Sequence, residues 1–174
     1  IKKGVSFDMS REQFLNWAYS YQFYGVIANF RGEPTTEFIK NKEHKDVQPF
    51  GFNDVFVTHN GTISNDKELL ENSPIKGIFK PGEHIIDSYA IIEAYLTHGK
   101  DFVNHIQGSF ALALVDAPLE LKYLYLVRNY RSLYAAQENN VIVWSSLEKP
   151  IKMNFGHFKE LKIPPYTGLM FKYP

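Results

Sequence analysis

The run Val57-Thr58-His59-Asn60-Gly61-Thr62-Ile63-Ser64-Asn65 stops an apolar stretch abruptly at an amide side chain, a glycine and a hydroxyl. A strand that ends this way presents hydrogen-bond donors to a ligand. Arg31 upstream contributes a cation and Asp87 downstream an anion. A donor pair, a cation and an anion together are what is needed to hold a zwitterionic substrate carrying an amide. The sequence contains no cysteine, so a reaction that needs a thiolate is not completed by these residues alone.

Each residue also has an ordinary structural reading. An isolated Asn-Gly pair is the commonest hairpin turn, although Thr62-Ile63-Ser64-Asn65 does not resume a clean strand. Arg31 alone reads as a strand-end surface cation. Asp87 alone reads as a helix N-cap, a role compatible with ligand binding because a capping carboxylate keeps a second oxygen. The six histidines show no close metal-ligand spacing, so no metal or other cofactor is expected. His59 is expected to pack or hydrogen-bond so as to hold the loop, and His98 with His105 to be a pair of helix residues. No G-x-S-x-G elbow surrounds Ser109 or Ser145-Ser146, which argues against a serine hydrolase.

These residues must be held by a small set of elements. Ser10 can cap a helix over Arg11 to Ser20, with Gln13 completing a capping box. Gly25 to Arg31 and Asp54 to His59 are rich in β-branched and aromatic residues and read as strands ending at the polar candidates. Ser64 or Asn65 can cap a brief helix through Leu70. Asp87 can cap a longer helix over Ser88 to His98, which Gly99 stops. In that helix Ala90, Ile91, Ala94 and Tyr95 form the apolar face. A short helical stretch follows near Phe102 to Ile106.

Four apolar runs then follow, Ser109 to Asp116, Lys122 to Val127, Ser132 to Gln137 and Val141 to Ser145, spaced as an antiparallel meander. Leu161 to Tyr173 adds an edge strand, since Pro164 and Pro165 cannot donate to a ladder. Helices grouped between flanking strands favour an α+β fold over a doubly wound parallel sheet.

The chain has 174 residues, 44% hydrophobic and 16% aromatic, enough for a single domain over 1–174 with a sizeable core. Lysine plus arginine and aspartate plus glutamate each number 19. That balance argues against nucleic acid or an anionic membrane as partner. No apolar stretch approaches the roughly 18 residues of a membrane span, and a cysteine-free, leaderless chain suits the cytoplasm.

In order along the chain, NFRGEPTTEF with Arg31, the pair Gln48-Pro49, THNGTISN, IIDSYAII with Asp87, QGSFALALVD, LYLVRN and WSSLEKP resemble the class II glutamine amidotransferase domain. This is the N-terminal-nucleophile domain of glucosamine-6-phosphate synthase and amidophosphoribosyltransferase. The resemblance covers about residues 24 to 152. It implies a four-layer α/β/β/α sandwich of antiparallel sheets. It also implies hydrolysis of L-glutamine to glutamate, with the ammonia passing to a synthase partner.

Within that resemblance, the Asn60 side-chain amide and the Gly61 N–H would stabilise the oxyanion that forms when the carboxamide is attacked. Gly61 would let the backbone approach the substrate. Arg31 would hold the α-carboxylate by a bidentate pair, and Asp87 would accept from the α-ammonium. Thr35 or Thr36 would add a hydroxyl or backbone contact. The family's nucleophile is an N-terminal cysteine whose own amine is the base. Ile1 has no nucleophilic atom, so the expectation is a cysteine on a preceding segment, or a degenerate domain that binds without hydrolysing. A separate partner or a stand-alone role is expected rather than a fused synthase.

Overall fold

The computed structural model describes residues 43–117 and 122–173 and, before them, Glu12, Gln13, Asn16 and Ile27. Glu12, Gln13 and Asn16 are helical, within the span expected for the first helix. The rest of that helix with its Ser10 cap lies outside the described residues, as do Arg31, Thr35, Thr36 and all but Ile27 of the strand expected before them.

From residue 43 onward, eight strands and three α-helices follow one another among the described residues. They are β1 (Phe50–Phe52), β2 (Val55–Ile63), α1 (Asp66–Leu70), α2 (Ser88–His98), β3 (Gly108–Asp116), β4 (Lys122–Arg128), β5 (Tyr134–Glu138), β6 (Val141–Ser145), α3 (Glu148–Phe155), β7 (Lys159–Leu161) and β8 (Thr167–Tyr173). All strand pairs are antiparallel. One sheet has the order β1-β2-β3-β4-β8 and the other β6-β5-β7.

Strand alternation divides the core in two. On β3, Phe110, Leu112 and Leu114 face one way, into a cluster with Ile91, Ile92 and Tyr95 of α2. Ala111 and Ala113 face the other way, with Leu124 and Leu126 of β4, and meet Leu133, Ala135 and Ile163 beside the smaller sheet. The small alanines let the two sheets approach. Helix α3 packs on β5 and β6, where Ala136, on the face opposite Ala135, is also buried. The layers therefore run α2, five-stranded sheet, three-stranded sheet, α3: the expected α/β/β/α sandwich.

Helix α2 keeps its expected bounds. Gly99, with φ 57°, ends it and donates its N–H to Tyr95 O. Its burial is broader than one face, since Tyr89 and Ile92 are buried too, as suits a helix enclosed on most sides. The Tyr95 hydroxyl donates to Asp116 Oδ2 at 2.6 Å, tying α2 to the far end of β3. Burial, then that carboxylate, pushes the Tyr95 hydroxyl well above its ordinary pKa.

Several expectations are corrected. β2 does not end at His59 but continues to Ile63, because Gly61 adopts φ 137° and stays in register opposite Phe110. The four-run meander divides between sheets: β3 and β4 belong to one, β5 and β6 to the other. The helical stretch after α2 is a 3-10 segment over Gly99–Asn104, earlier than expected. β1, β7 and α3 were not anticipated. β8 is the expected edge strand, with Pro164 and Pro165 placed just before it.

Gly61 and Gly108 lie two register steps apart in the β2–β3 ladder, both with φ near 138°. A Cβ at Gly108 would stand 2.0 Å from Thr62 O, whereas one at Gly77 would meet nothing within 4 Å. Gly108→Ala is expected to cost more than about 2 kcal/mol in urea unfolding, from backbone strain plus the clash. Gly77→Ala should stay within about 0.5 kcal/mol.

Candidate functional site

The site forms where β2 outruns β1. β1 pairs with Val55 to Val57 only, so the next part of the β2 edge has no strand beside it among the described residues. In an antiparallel ladder the N–H and C=O of one residue point to one side, and those of the next to the other. His59, Gly61 and Ile63 thus face away from β3.

Two of these three are closed by side chains. Gln48 Oε1 accepts from His59 N and Gln48 Nε2 donates to His59 O, each at 2.8 Å. The Gln48 amide thereby prolongs the β1 ladder by one step past the cis Gln48-Pro49 bond. Asp87 Oδ2 accepts from Ile63 N at 2.8 Å. Between them, no described residue meets the Gly61 N–H.

Asn60 is placed by the same alternation. It stands opposite Ala111, which stands opposite Arg128, and directly opposed residues share a face. Ala111 belongs to the core between the sheets, so the Asn60 side chain projects on the side of the smaller sheet, where it is exposed. Arg128 shares that face, and its Nε is buried with no partner among the described residues. The structure thus brings the side-chain amide of Asn60 and the outward amide of Gly61 next to each other.

The Asp87 expectation changes. Asp87 precedes α2 with φ −52° and ψ −31°, and its side chain caps no helix N–H. Already helical at that residue, the backbone turns the carboxylate away from the first turn, toward β2. Its other oxygen, Oδ1, lies 3.3 Å from Ser88 Oγ, and Ser88 Oγ is 2.9 Å from His59 Nδ1. A His59–Ser88–Asp87 chain, buried at His59 and Ser88, therefore couples β2 to the start of α2, consistent with His59 as a packing and hydrogen-bonding residue.

Asn65 likewise does not cap α1 through its side chain. It donates from Nδ2 to His105 O and accepts Gln107 N at Oδ1, each at 2.9 Å, and so anchors the chain leaving β2. His98 and His105 stack with ring centroids 3.5 Å apart, on the helix and just beyond its 3-10 continuation. Gln48, Ser88 and Asn129 lie within the motifs Gln48-Pro49, IIDSYAII and LYLVRN that carry the resemblance, but no role was expected of them, because each acts on a backbone group or side chain distant in sequence.

The description of the glutamine amidotransferase domain matches residues 36–153. The chain belongs to that family. The amidotransferase domain is 30% identical over 175 residues to 7-cyano-7-deazaguanine synthase of Saccharolobus solfataricus, covering 98% of this chain and 38% of that protein. It is 34% identical over 131 residues to 7-cyano-7-deazaguanine synthase 2 of Sulfurisphaera tokodaii, covering 71% of this chain and 27% of that protein. The chain spans about a third of the length of the curated relatives it matches.

Among solved structures, the amidotransferase domain is similar to glutamine phosphoribosylpyrophosphate amidotransferase from B. subtilis. The TM-score is 0.54 at 14% identity, over 74% of this chain and 30% of that one. A structure described as the allosteric regulatory enzyme of purine biosynthesis gives 0.52 at 15% identity, over 72% of this chain and 29% of that one. At these identities the likeness is one of fold, the N-terminal-nucleophile sandwich.

Two hydrogen bonds from one side chain hold the His59 backbone, so Gln48→Ala is expected to cost about 1–3 kcal/mol in denaturant unfolding. Amide exchange at His59 should accelerate while that of Ala113 in mid-β3 stays protected. An unchanged His59 amide would show that Gln48 does not hold this edge.

Proposed function

We propose that this domain binds L-glutamine and supports hydrolysis of its side-chain amide to glutamate and ammonia. The observation that carries the reading is the Gly61 N–H, unmet among the described residues and flanked by two amides that side chains have closed, with exposed Asn60 beside it. Attack on the carboxamide pushes an electron pair onto its oxygen. Two donors already in place would receive that charge without reorganising.

Asp87, with one oxygen on Ile63 N, retains lone pairs for the substrate α-ammonium. Arg31 would pair with the α-carboxylate, and Thr35 or Thr36 would add a contact. We take residues 1–174 as one amidotransferase domain. The attacking thiolate would come from a cysteine outside these residues, since the sequence has none. The thiol proton would pass to the neighbouring amine and from it to the departing ammonia as the C–N bond breaks, leaving a thioester that water hydrolyses to glutamate and the free thiol.

The relatives named 7-cyano-7-deazaguanine synthase support an acceptor class. A cyano group contains one nitrogen, and released ammonia is a chemically suited source for it. We therefore propose a synthase unit that builds such a nitrile on a deazaguanine ring as recipient, acting in the cytoplasm. The missing thiol favours a second reading, a domain that binds glutamine without turnover.

The test is the complete gene product from its native start, incubated with glutamine while glutamate is followed. Glutamate release is expected. Asn60→Ala should lower kcat about 10²- to 10³-fold, the usual effect of losing one oxyanion donor. Arg31→Ala and Asp87→Ala should act mainly by raising KM. Glutamine binding by calorimetry without glutamate release would leave the binding reading, and the absence of both would remove the proposal.

A further inference from the structure

The structure assigns a role to Asn129, which no hypothesis above uses: we propose that it is a positioning residue for the Gly61 donor. This rests on the glutamine-hydrolysing reading, because it concerns the placement of a group that acts there.

Asn129 follows directly on β4 and is 9% exposed. Its Oδ1 accepts from Phe110 N and from Tyr130 N, and its Nδ2 donates to Gly108 O, each at 2.6 Å. Its own N–H donates to Phe110 O at 2.9 Å. One buried residue thus closes the Gly108 carbonyl and both outward groups of Phe110, as Gln48 closes His59 two strands away.

What Asn129 holds lies directly against the proposed oxyanion site. Phe110 is the register partner of Gly61, and Gly108 that of Ile63. The contact between the strands there is backbone on backbone, because a Cβ on Gly61 would stand 1.9 Å from Ser109 O. A glycine offers no side chain by which neighbours could fix it, and its outward side has no described partner. The location of the Gly61 N–H is therefore set from the β3 side, by Ser109 and Phe110, and these in turn are set by Asn129. Displacements of the order of 1 Å at a reacting group can cost about 10²-fold in rate.

Two variants test this in the complete gene product. Asn129→Ala removes all three side-chain bonds. Asn129→Asp keeps the acceptor for Phe110 N and Tyr130 N but replaces the donor to Gly108 O with a carboxylate oxygen that repels that carbonyl when ionised. Expected for Asn129→Ala is a fall in kcat for glutamine hydrolysis of about 10- to 100-fold, with KM within about twofold. Asn129→Asp should recover part of that loss.

A smaller folded fraction alone also lowers apparent kcat at constant KM, so each kcat is expressed per folded molecule, with the folded fraction read by circular dichroism; a merely structural role then leaves it at the wild-type value. A kcat equal to wild type in folded Asn129→Ala overturns the proposal, as does a kcat in Asn129→Asp no higher than in Asn129→Ala. If Asn129→Ala does not fold, Asn129→Asp alone decides by the same kcat criterion against wild type. If the wild-type protein releases no glutamate, the functional reading has failed, and amide exchange decides the structural part. Faster exchange of Thr62 in Asn129→Asp, with Leu126 unchanged, supports the positioning, and unchanged Thr62 exchange overturns it.

Discussion

Nine residues of β2 lie in register with nine of β3, and the site exists because that ladder runs past Val57, where β1 stops. The extension is possible only through Gly61 and Gly108. Both take a backbone conformation that side chains rarely adopt, and both bring one strand's backbone onto the other's carbonyl with no room for a Cβ. From this contact follow the direction of the Gly61 amide, the exposure of Asn60, and the need for separate groups to close His59 and Ile63.

The closing groups come from three places in the chain. Gln48 precedes β1, Asp87 immediately precedes α2 and Asn129 follows β4. Each side chain performs the task of a missing strand neighbour. Helix α2 contributes more than its carboxylate, since the Ser88 hydroxyl meets buried His59 and Tyr95 reaches Asp116 at the opposite end of the ladder. The helix is thus fastened to both ends of the β2–β3 pair, and the site is anchored to a helix most of whose residues are buried.

Much of this was legible from the residues. Ser88 to His98 could be bounded because Gly99 supplies a left-handed stop, and the β8 edge because two prolines announce it. Asn60, Gly61 and Asp87 could be named from residue type and order. What failed did so for physical reasons. β1 is three residues long and its turn, Asn53-Asp54 with φ 48° and 62°, is a type I′ turn without its usual glycine. Strand patterns do not say which sheet a strand joins, so β3 to β6 read as one meander. The glycine at 61 was expected to serve the substrate's approach; the structure adds a second reason for it, since a Cβ there would stand 1.9 Å from Ser109 O, a cross-strand neighbour that no local pattern names. Gln48 acts on a residue eleven positions away, a relation that no local window contains.

The short β1 has a further consequence, for association between molecules. An unpaired strand edge is a template on which another chain can add a strand, and β2 beyond Val57 is such an edge among the described residues. Of its three outward amides, Gln48 has taken one and Asp87 another, both with side chains that no incoming backbone could bond through. A foreign strand would find a single N–H at Gly61 where a ladder needs a regular series. Among the described residues, therefore, this edge offers one unmet N–H rather than the regular series of donors that strand addition uses.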